Sequence, residues 1–158
     1  MSELLIRVIP TDLEWQPTPE AAIAAAEYVA GLFAGPGDHV ESVEPLFYDR
    51  IAVIDGGEYL EDVFCPRCEA SIGVDWFWDL LQVRTGNDPT LNDLAVTVPC
   101  CGAALALPEL RFEDPLGFAR FEITIKNWTR GPWELSDHEL TTTAALLGHP
   151  VLQIQAHY

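Results

Sequence analysis

Four residues in this chain have the types and spacing to do chemistry together, and they are all of its cysteines. They fall in two pairs, Cys65-Pro66-Arg67-Cys68 and Pro99-Cys100-Cys101-Gly102, with 31 residues between Cys68 and Cys100. A structural zinc ion takes four soft or borderline ligands in a tetrahedron, often two from each of two tight turns. Cysteine–proline–x–cysteine suits one such turn: proline fixes the bend, and backbone amides then donate to thiolate sulfur. The second pair sits beside a proline and just before a glycine. The expectation is one zinc ion held by Cys65, Cys68, Cys100 and Cys101, closing the site with no position left for a substrate.

These two stretches resemble the knuckles of the zinc-ribbon family, through Cys65, Pro66 and Cys68 in the first and Pro99, Cys101 and Gly102 in the second. The resemblance departs from the family pattern in two places. An ordinary second knuckle would carry cysteine at position 98, where this chain has Val98, so Cys100 has to serve beside Cys101. The gap between the pairs is also long enough for a whole helix, which makes the segment 65–101 a zinc-clasped insertion, not a compact ribbon. His39, His138, His149 and His157 are the alternatives for a fourth ligand. A second resemblance joins Gly117-Phe118-Ala119-Arg120-Phe121 and the ending Leu147-Gly148 to Tyr158 with a set of small bacterial proteins that carry a similar paired-cysteine knuckle. It implies a metal site and no reaction.

Two other chemistries compete. Cys65 and Cys68 follow a predicted strand and precede a predicted helix, the setting of a glutaredoxin-like thiol–disulfide oxidoreductase, in which a helix dipole lowers the first thiol's pKa. That reading leaves Cys100 and Cys101 unexplained, and the chain lacks the extra strand that the fold needs between the cysteine pair and a facing proline turn. A catalytic zinc would need three protein ligands, an open position and a nearby base. Neither His-Glu-x-x-His nor His-x-Glu occurs, and four thiolates leave zinc a poor Lewis acid.

The surroundings are acidic. The 158 residues carry 25 acidic and 8 basic side chains, a formal net charge of -17, and Lys126 is the one lysine. Between Met1 and Asp49, nine carboxylates face a single base, Arg7. Such a surface repels nucleic acid and anionic membranes and attracts a basic protein partner, although it also serves solubility alone. Charge and size together suggest a toxin-neutralising immunity protein. No apolar run approaches the ~20 residues of a membrane helix. Met1-Ser2-Glu3-Leu4 has neither the basic region nor the apolar stretch of a signal peptide, so the expected compartment is the cytoplasm, where reduced thiols favour metal over disulfide.

The elements that must position the cysteines follow from periodicity. Leu4–Ile9 reads as a strand. Thr18-Pro19-Glu20 opens a helix to about Ala34, with Ile23, Ala26, Ala30 and Phe33 as its apolar stripe. Pro45 restricts any strand near it to an edge or a break. Arg50–Ile54 and Tyr59–Phe64, around the turn Asp55-Gly56-Gly57, read as a hairpin delivering the chain to Cys65. Ile72, Trp76, Leu80 and Val83 form a helical stripe with Phe77 and Leu81 beside them, with Ser71 as its cap and Thr85–Pro89 as its end. Leu94–Val98 is a strand leading to the second pair.

Gly117–Asn127 is the clearest strand, with Ala119, Phe121, Ile123 and Ile125 on one face and Arg120, Glu122, Thr124 and Lys126 on the other. Ser136 and Glu139 form a capping box, Leu135 and Leu140 a hydrophobic staple, and Gly148 a stop. A last strand places Leu152, Ile154 and Ala156 inward, with Gln153, Gln155 and His157 outward. The fold class is α+β: a mixed, mainly antiparallel sheet with three helices and one zinc-stapled helical insertion, in a single domain over 1–158.

Other candidates have simpler readings. Asp75 and Asp79 share a helical face that suits solvent. Of Trp76, Phe77 and Trp78, at least one, Trp78, should face another element or a partner. Trp128 and Trp133, around Arg130, could anchor an interface but suit edge packing. No Gly-x-Ser-x-Gly or glycine-rich phosphate loop is present. The function expected is therefore non-enzymatic: a zinc-binding acidic module that binds a basic protein.

Overall fold

The structure is a computed structural model that describes residues 2–86, 88–114 and 116–158. In chain order its elements are β1 (Leu4–Pro10), α1 (Pro19–Gly31), β2 (His39–Ile54), β3 (Val63–Phe64), α2 (Val74–Thr85), β4 (Ala95–Thr97), β5 (Ala104–Ala106), a short 3-10 turn (Leu107–Glu109), β6 (Arg111–Phe112), β7 (Gly117–Thr129), α3 (Asp137–Leu147) and β8 (Val151–His157). Four strands form an antiparallel sheet in the order β2-β7-β1-β8. The expected α+β class with three helices and a mainly antiparallel sheet is the observed one.

One face of the sheet carries Ile6 and Val8 of β1 and Phe121, Ile123 and Ile125 of β7, all fully buried. Helices α1 and α3 cover it through Ala22, Ala25, Val29 and Leu147, with Phe33, Trp128 and Leu135 closing the ends. Helix α1 starts as expected: Thr18 caps it, accepting from the Ala21 amide at 3.1 Å, and Pro19 stands at the first helical position. Its buried face, however, is Ala22, Ala25, Ala26 and Val29, and Ile23 is 55% exposed. Alanines let the helix axis come close to the sheet, which outweighs the larger apolar side chain at Ile23. Helix α3 has the expected box, Ser136 Oγ accepting from Glu139 N at 3.1 Å and Glu139 Oε1 from Ser136 N at 2.8 Å, and Gly148 ends it at φ 96°. In β8, Ile154 and Ala156 are buried as expected, but Leu152 is 39% exposed because β8 is an edge strand.

Strand β2 forms the other edge. It runs through Pro45 without breaking, which an edge permits, and bulges between Phe47 and Ala52. The hairpin expected between Arg50–Ile54 and Tyr59–Phe64 does not form. Ile51–Ile54 stay in β2 against β7, and Val63–Phe64 pair with Arg111–Phe112 instead. Everything from Asp55 to Leu116 is thus inserted between two neighbouring strands, whose ends pair as Ile54↔Gly117.

This insertion has its own core, with Val63, Cys65, Phe77, Leu81, Val96, Val98, Leu105, Leu107 and Leu110 packed onto Ile51, Val53 and Phe118 of the main sheet. Helix α2 buries Phe77 and Leu81, expected beside the stripe, more deeply than the stripe itself: Val83 is 86% exposed, and Trp76 and Leu80 are half-buried. Phe77 meets Trp78 at 5.4 Å and Phe112 at 5.1 Å between ring centroids, so Trp78 packs within the insertion. Ser71 is not the cap. Its hydroxyl bonds both oxygens of Asp62, and Gly73 precedes the helix. Asn87, in the turn expected to end this helix, lies outside the described residues.

Candidate metal centre

The two cysteine pairs sit on matching turns. Cys65 N donates to Ala70 O, and Glu69 N to Cys65 O, both at 3.0 Å. Val98 N donates to Ala103 O, and Gly102 N to Val98 O, also at 3.0 Å. The bonds superpose position for position: Cys65 on Val98, Pro66 on Pro99, Arg67 on Cys100, Cys68 on Cys101, Glu69 on Gly102. Both turns need a left-handed residue at the last of these, Glu69 at φ 64° and Gly102 at φ 71°. Flanking strands hold each turn. Phe64 bridges Ser71 around the first, and the antiparallel pair β4–β5 closes around the second.

The turns bring their sulfurs together. Cys65 Sγ is 3.8 Å from Cys101 Sγ, Cys68 Sγ is 3.3 Å from Cys100 Sγ, and all four sulfurs lie within 4.8 Å of one another. A tetrahedron with metal–sulfur bonds of about 2.3 Å has edges of about 3.8 Å, so the cluster is of the size that one metal ion requires. Cys65 is fully buried, while Cys68, Cys100 and Cys101 are exposed. All four residues expected from the sequence converge. His39, His138, His149 and His157 do not belong to this cluster. His149 instead packs, tilted, against Trp15 with ring centroids 4.8 Å apart, and His157 places Nδ1 2.7 Å from Glu58.

The four thiols are unequal. Backbone amides of Cys68 and Arg67 point at Cys65 Sγ, the latter at 3.4 Å, and hold its pKa down to about 7 against the effect of burial. Cys100 is pushed up to about 12, first by loss of solvent and then by its thiol neighbours. Cys101 receives the Ala103 amide, which lowers it, but partial loss of solvent and the sulfurs of Cys65 and Cys68 carry it above its ordinary value. Without a metal, one thiolate forms readily at Cys65 and its charge opposes the others. A dication in the centre would remove that opposition. Cys65 does not stand at a helix N-terminus, since α2 begins at Val74.

The remaining candidates keep their simple roles. Asp75 and Asp79 are exposed on α2. Trp128 is buried, lies tilted against Trp133 with ring centroids 5.2 Å apart and donates from Nε1 to Trp133 O at 3.0 Å. Arg130 forms two hydrogen bonds to Glu139 at 2.7 and 2.8 Å and lies 5.1 Å from the centre of the Phe33 ring.

Sequence reasoning missed a buried polar network on the second face of the sheet. Glu122, fully buried, accepts from Arg7 at 2.9 and 2.7 Å, from the Tyr48 hydroxyl at 2.7 Å and from the Thr124 hydroxyl at 2.6 Å. Arg7 also donates to Asp55 O at 3.2 Å and to the Tyr158 hydroxyl at 3.1 Å, and that hydroxyl donates to Asp55 Oδ1 at 2.5 Å. Burial alone would raise Glu122, but the Arg7 hydrogen bonds and charge outweigh it and hold the carboxyl below its usual range. Burial raises Tyr48 and Tyr158, and the charges of Glu122 and Asp55 raise them further. The signal for this network was in the sequence: the lone base among nine carboxylates lies in one predicted strand, and Glu122 lies mid-strand in another.

No family model, curated protein or solved structure matches this chain significantly. Among the described residues, no helix is long and apolar enough to cross a membrane.

Proposed function

We propose that the protein is a non-enzymatic binding module whose inserted subdomain is clasped by one structural zinc ion, in the manner of a zinc ribbon, and whose acidic surface binds a basic protein. The observation that carries the zinc reading is the convergence of four sulfurs, all within 4.8 Å, from two turns of the same hydrogen-bond pattern. An all-thiolate set selects zinc over hard cations, and four protein ligands leave no open position for chemistry. The insertion core is small, and a metal closing its two halves supplies stability that so few apolar residues lack.

The excess of 25 acidic over 8 basic residues supports the basic partner, for which a toxin is one candidate class. The competing thiol–disulfide reading draws on the low pKa of Cys65. Against it stand the complete burial of that sulfur, the distance to α2 and the two further cysteines at bonding range.

The test is elemental analysis of protein purified without added metal, paired with thiol alkylation before and after chelation. One zinc per chain, with alkylation slow until the metal is withdrawn, supports the clasp. Less than half an equivalent of zinc, with Cys65 alkylating alone, would sink it and favour the oxidoreductase.

A further inference from the structure

The two edges of the main sheet are protected unequally. On β2, Pro45 removes a donor, a bulge follows Phe47, and Glu41, Glu44 and Asp49 add charge. These are the ordinary devices that stop another chain from pairing with an open edge. On β8 the run Val151-Leu152-Gln153-Ile154-Gln155 has no proline, no charge and no bulge.

The register fixes which groups of β8 face outward. Thr11 N bonds Pro150 O, and Tyr158 and Glu3 exchange both backbone bonds. By alternation, residues 152, 154 and 156 bond β1, and residues 151, 153, 155 and 157 turn their backbone groups away from it. At the C-terminal end this outer edge already takes a partner: His157 N bonds Gly56 O at 3.1 Å, and Glu58 N bonds His157 O at 2.9 Å. Beyond that bridge, Gln153 and Gln155 border a groove of about 370 Å³. Its other walls carry Glu58, Glu61, Asp114 and Glu134, and among the described residues no lysine or arginine lines it.

We infer that the groove along β8 is where the basic partner docks, as an extended segment that adds a strand to the sheet at Val151–Gln155. The site rests on the reading of the protein as a binder of basic partners and gives that reading a location. The open edge supplies main-chain hydrogen bonds, and five residues of strand span about 17 Å. The acidic walls choose the occupant: a segment with lysine or arginine at every second position places those side chains on one side, about 7 Å apart, within reach of the carboxylates. A second copy of this chain carries the same acids and would meet repulsion there.

The probe is a synthetic peptide of four Lys-Val repeats, titrated into the zinc-loaded full chain and followed by amide chemical shifts and calorimetry. The controls are the same peptide N-methylated at every second residue, made in both phases, and a Glu-Val counterpart. Shifts should centre on residues 151–155. Binding should fall at least tenfold for one methylated phase, for Gln155→Pro, which deletes an outward-facing N–H and leaves the β1 bonds intact, and for the pair Glu61→Lys with Glu134→Lys. Circular dichroism and melting temperature check that each variant is folded.

Equal affinity for both methylated peptides would overturn edge pairing. Shifts centred elsewhere would overturn this groove and leave the basic-partner reading standing. No binding of the Lys-Val peptide at low salt would overturn both. A dimer of the free chain that Gln155→Pro dissolves would assign the edge to a second copy and refute the proposal.

Discussion

Replacing Glu122 tests the interior of the fold most directly. Its carboxylate is fully buried and receives four hydrogen bonds, two from Arg7, one from Tyr48 and one from Thr124. The Arg7 side chain is only 11% exposed, so Glu122→Gln leaves a nearly buried guanidinium facing a neutral amide. Breaking a buried pair in this way costs about 3–5 kcal/mol. Asp55 O and the Tyr158 hydroxyl still accept from Arg7, which places the glutamine variant near the lower figure of about 3 kcal/mol. For a chain of this size each kcal/mol moves the melting temperature by about 2–4 °C, so Glu122→Gln should melt about 6–12 °C lower.

Tyr48→Phe removes one donor from a charged, buried acceptor and should cost about 1.5–3 kcal/mol. The double change Arg7→Met with Glu122→Leu removes both charges together and should cost less than Glu122→Gln alone. Urea titration and calorimetry of the four proteins are the assay. A Glu122→Gln protein within about 1 kcal/mol of the parent, or a double variant worse than the single one, would refute a desolvated, charged pair bridging β1 and β7.

The pH dependence follows from the carboxylates held below their ordinary range, Glu122 by Arg7 and Glu139 at about 2 by Arg130. Each contributes stability that is complete above the unfolded value near 4.5 and is lost as pH falls through the folded one, so the melting temperature should decline mainly between about pH 4.5 and 2, and less in Glu122→Gln. Gly57→Ala should destabilise by more than about 2 kcal/mol, measured by urea titration: φ is 61°, and a β-carbon there would strike the backbone of His157. Cys100→Ser should weaken zinc binding in chelator competition, and Val98→Cys added to it should restore affinity, because position 98 holds the backbone place of Cys65 in the second turn. No recovery in the double variant would show that the two turns differ in sulfur geometry.

Much of this was legible in the sequence, and the misses share a cause. Strong local signals read true: Thr18-Pro19, the Ser136–Glu139 box, Gly148 and the alternation after Gly117 are decided within a few residues. The convergence of the four cysteines was also legible, because two tight cysteine-bearing turns in one small chain have few other uses. What failed depended on contacts between distant segments. Ile23 lost its inward place to alanines because α1 lies close on the sheet. Val83 is exposed because the insertion core selected Phe77 and Leu81. Val63–Phe64 prefer Arg111–Phe112 over the nearby Ile51–Ile54, a pairing that no local pattern announces. Glu122 looked like a solvent-facing residue by alternation, and only the meeting of β1, β2, β7 and the last residue turns that face into an interior.

The same contacts decide how far the loss of the metal would spread. The insertion leaves the sheet at Ile54 and returns at Gly117, neighbours in the β2–β7 ladder. Its ends are therefore held by the sheet whether or not the knuckles are closed. Further fastenings lie outside the metal centre: Gly57 against His157, Asp55 to Arg7 and Tyr158, and Thr90 against Ala52 of β2. The cysteines join something else, the first turn after β3 to the second turn between β4 and β5, across α2. Cys65 and Val98 are buried beneath those turns in the same core as Phe77 and Leu81. Withdrawing the metal would unfasten the two turns from each other, while the β3–β6 pairing and the shared apolar core still join the halves of the insertion. The sheet, α1 and α3 share a separate core that none of these residues enters. If a metal closes the two turns, chelation should raise hydrogen exchange in α2 and β4–β5 and leave the amides of β1 and β7 protected, because the core under the sheet contains none of the cysteines.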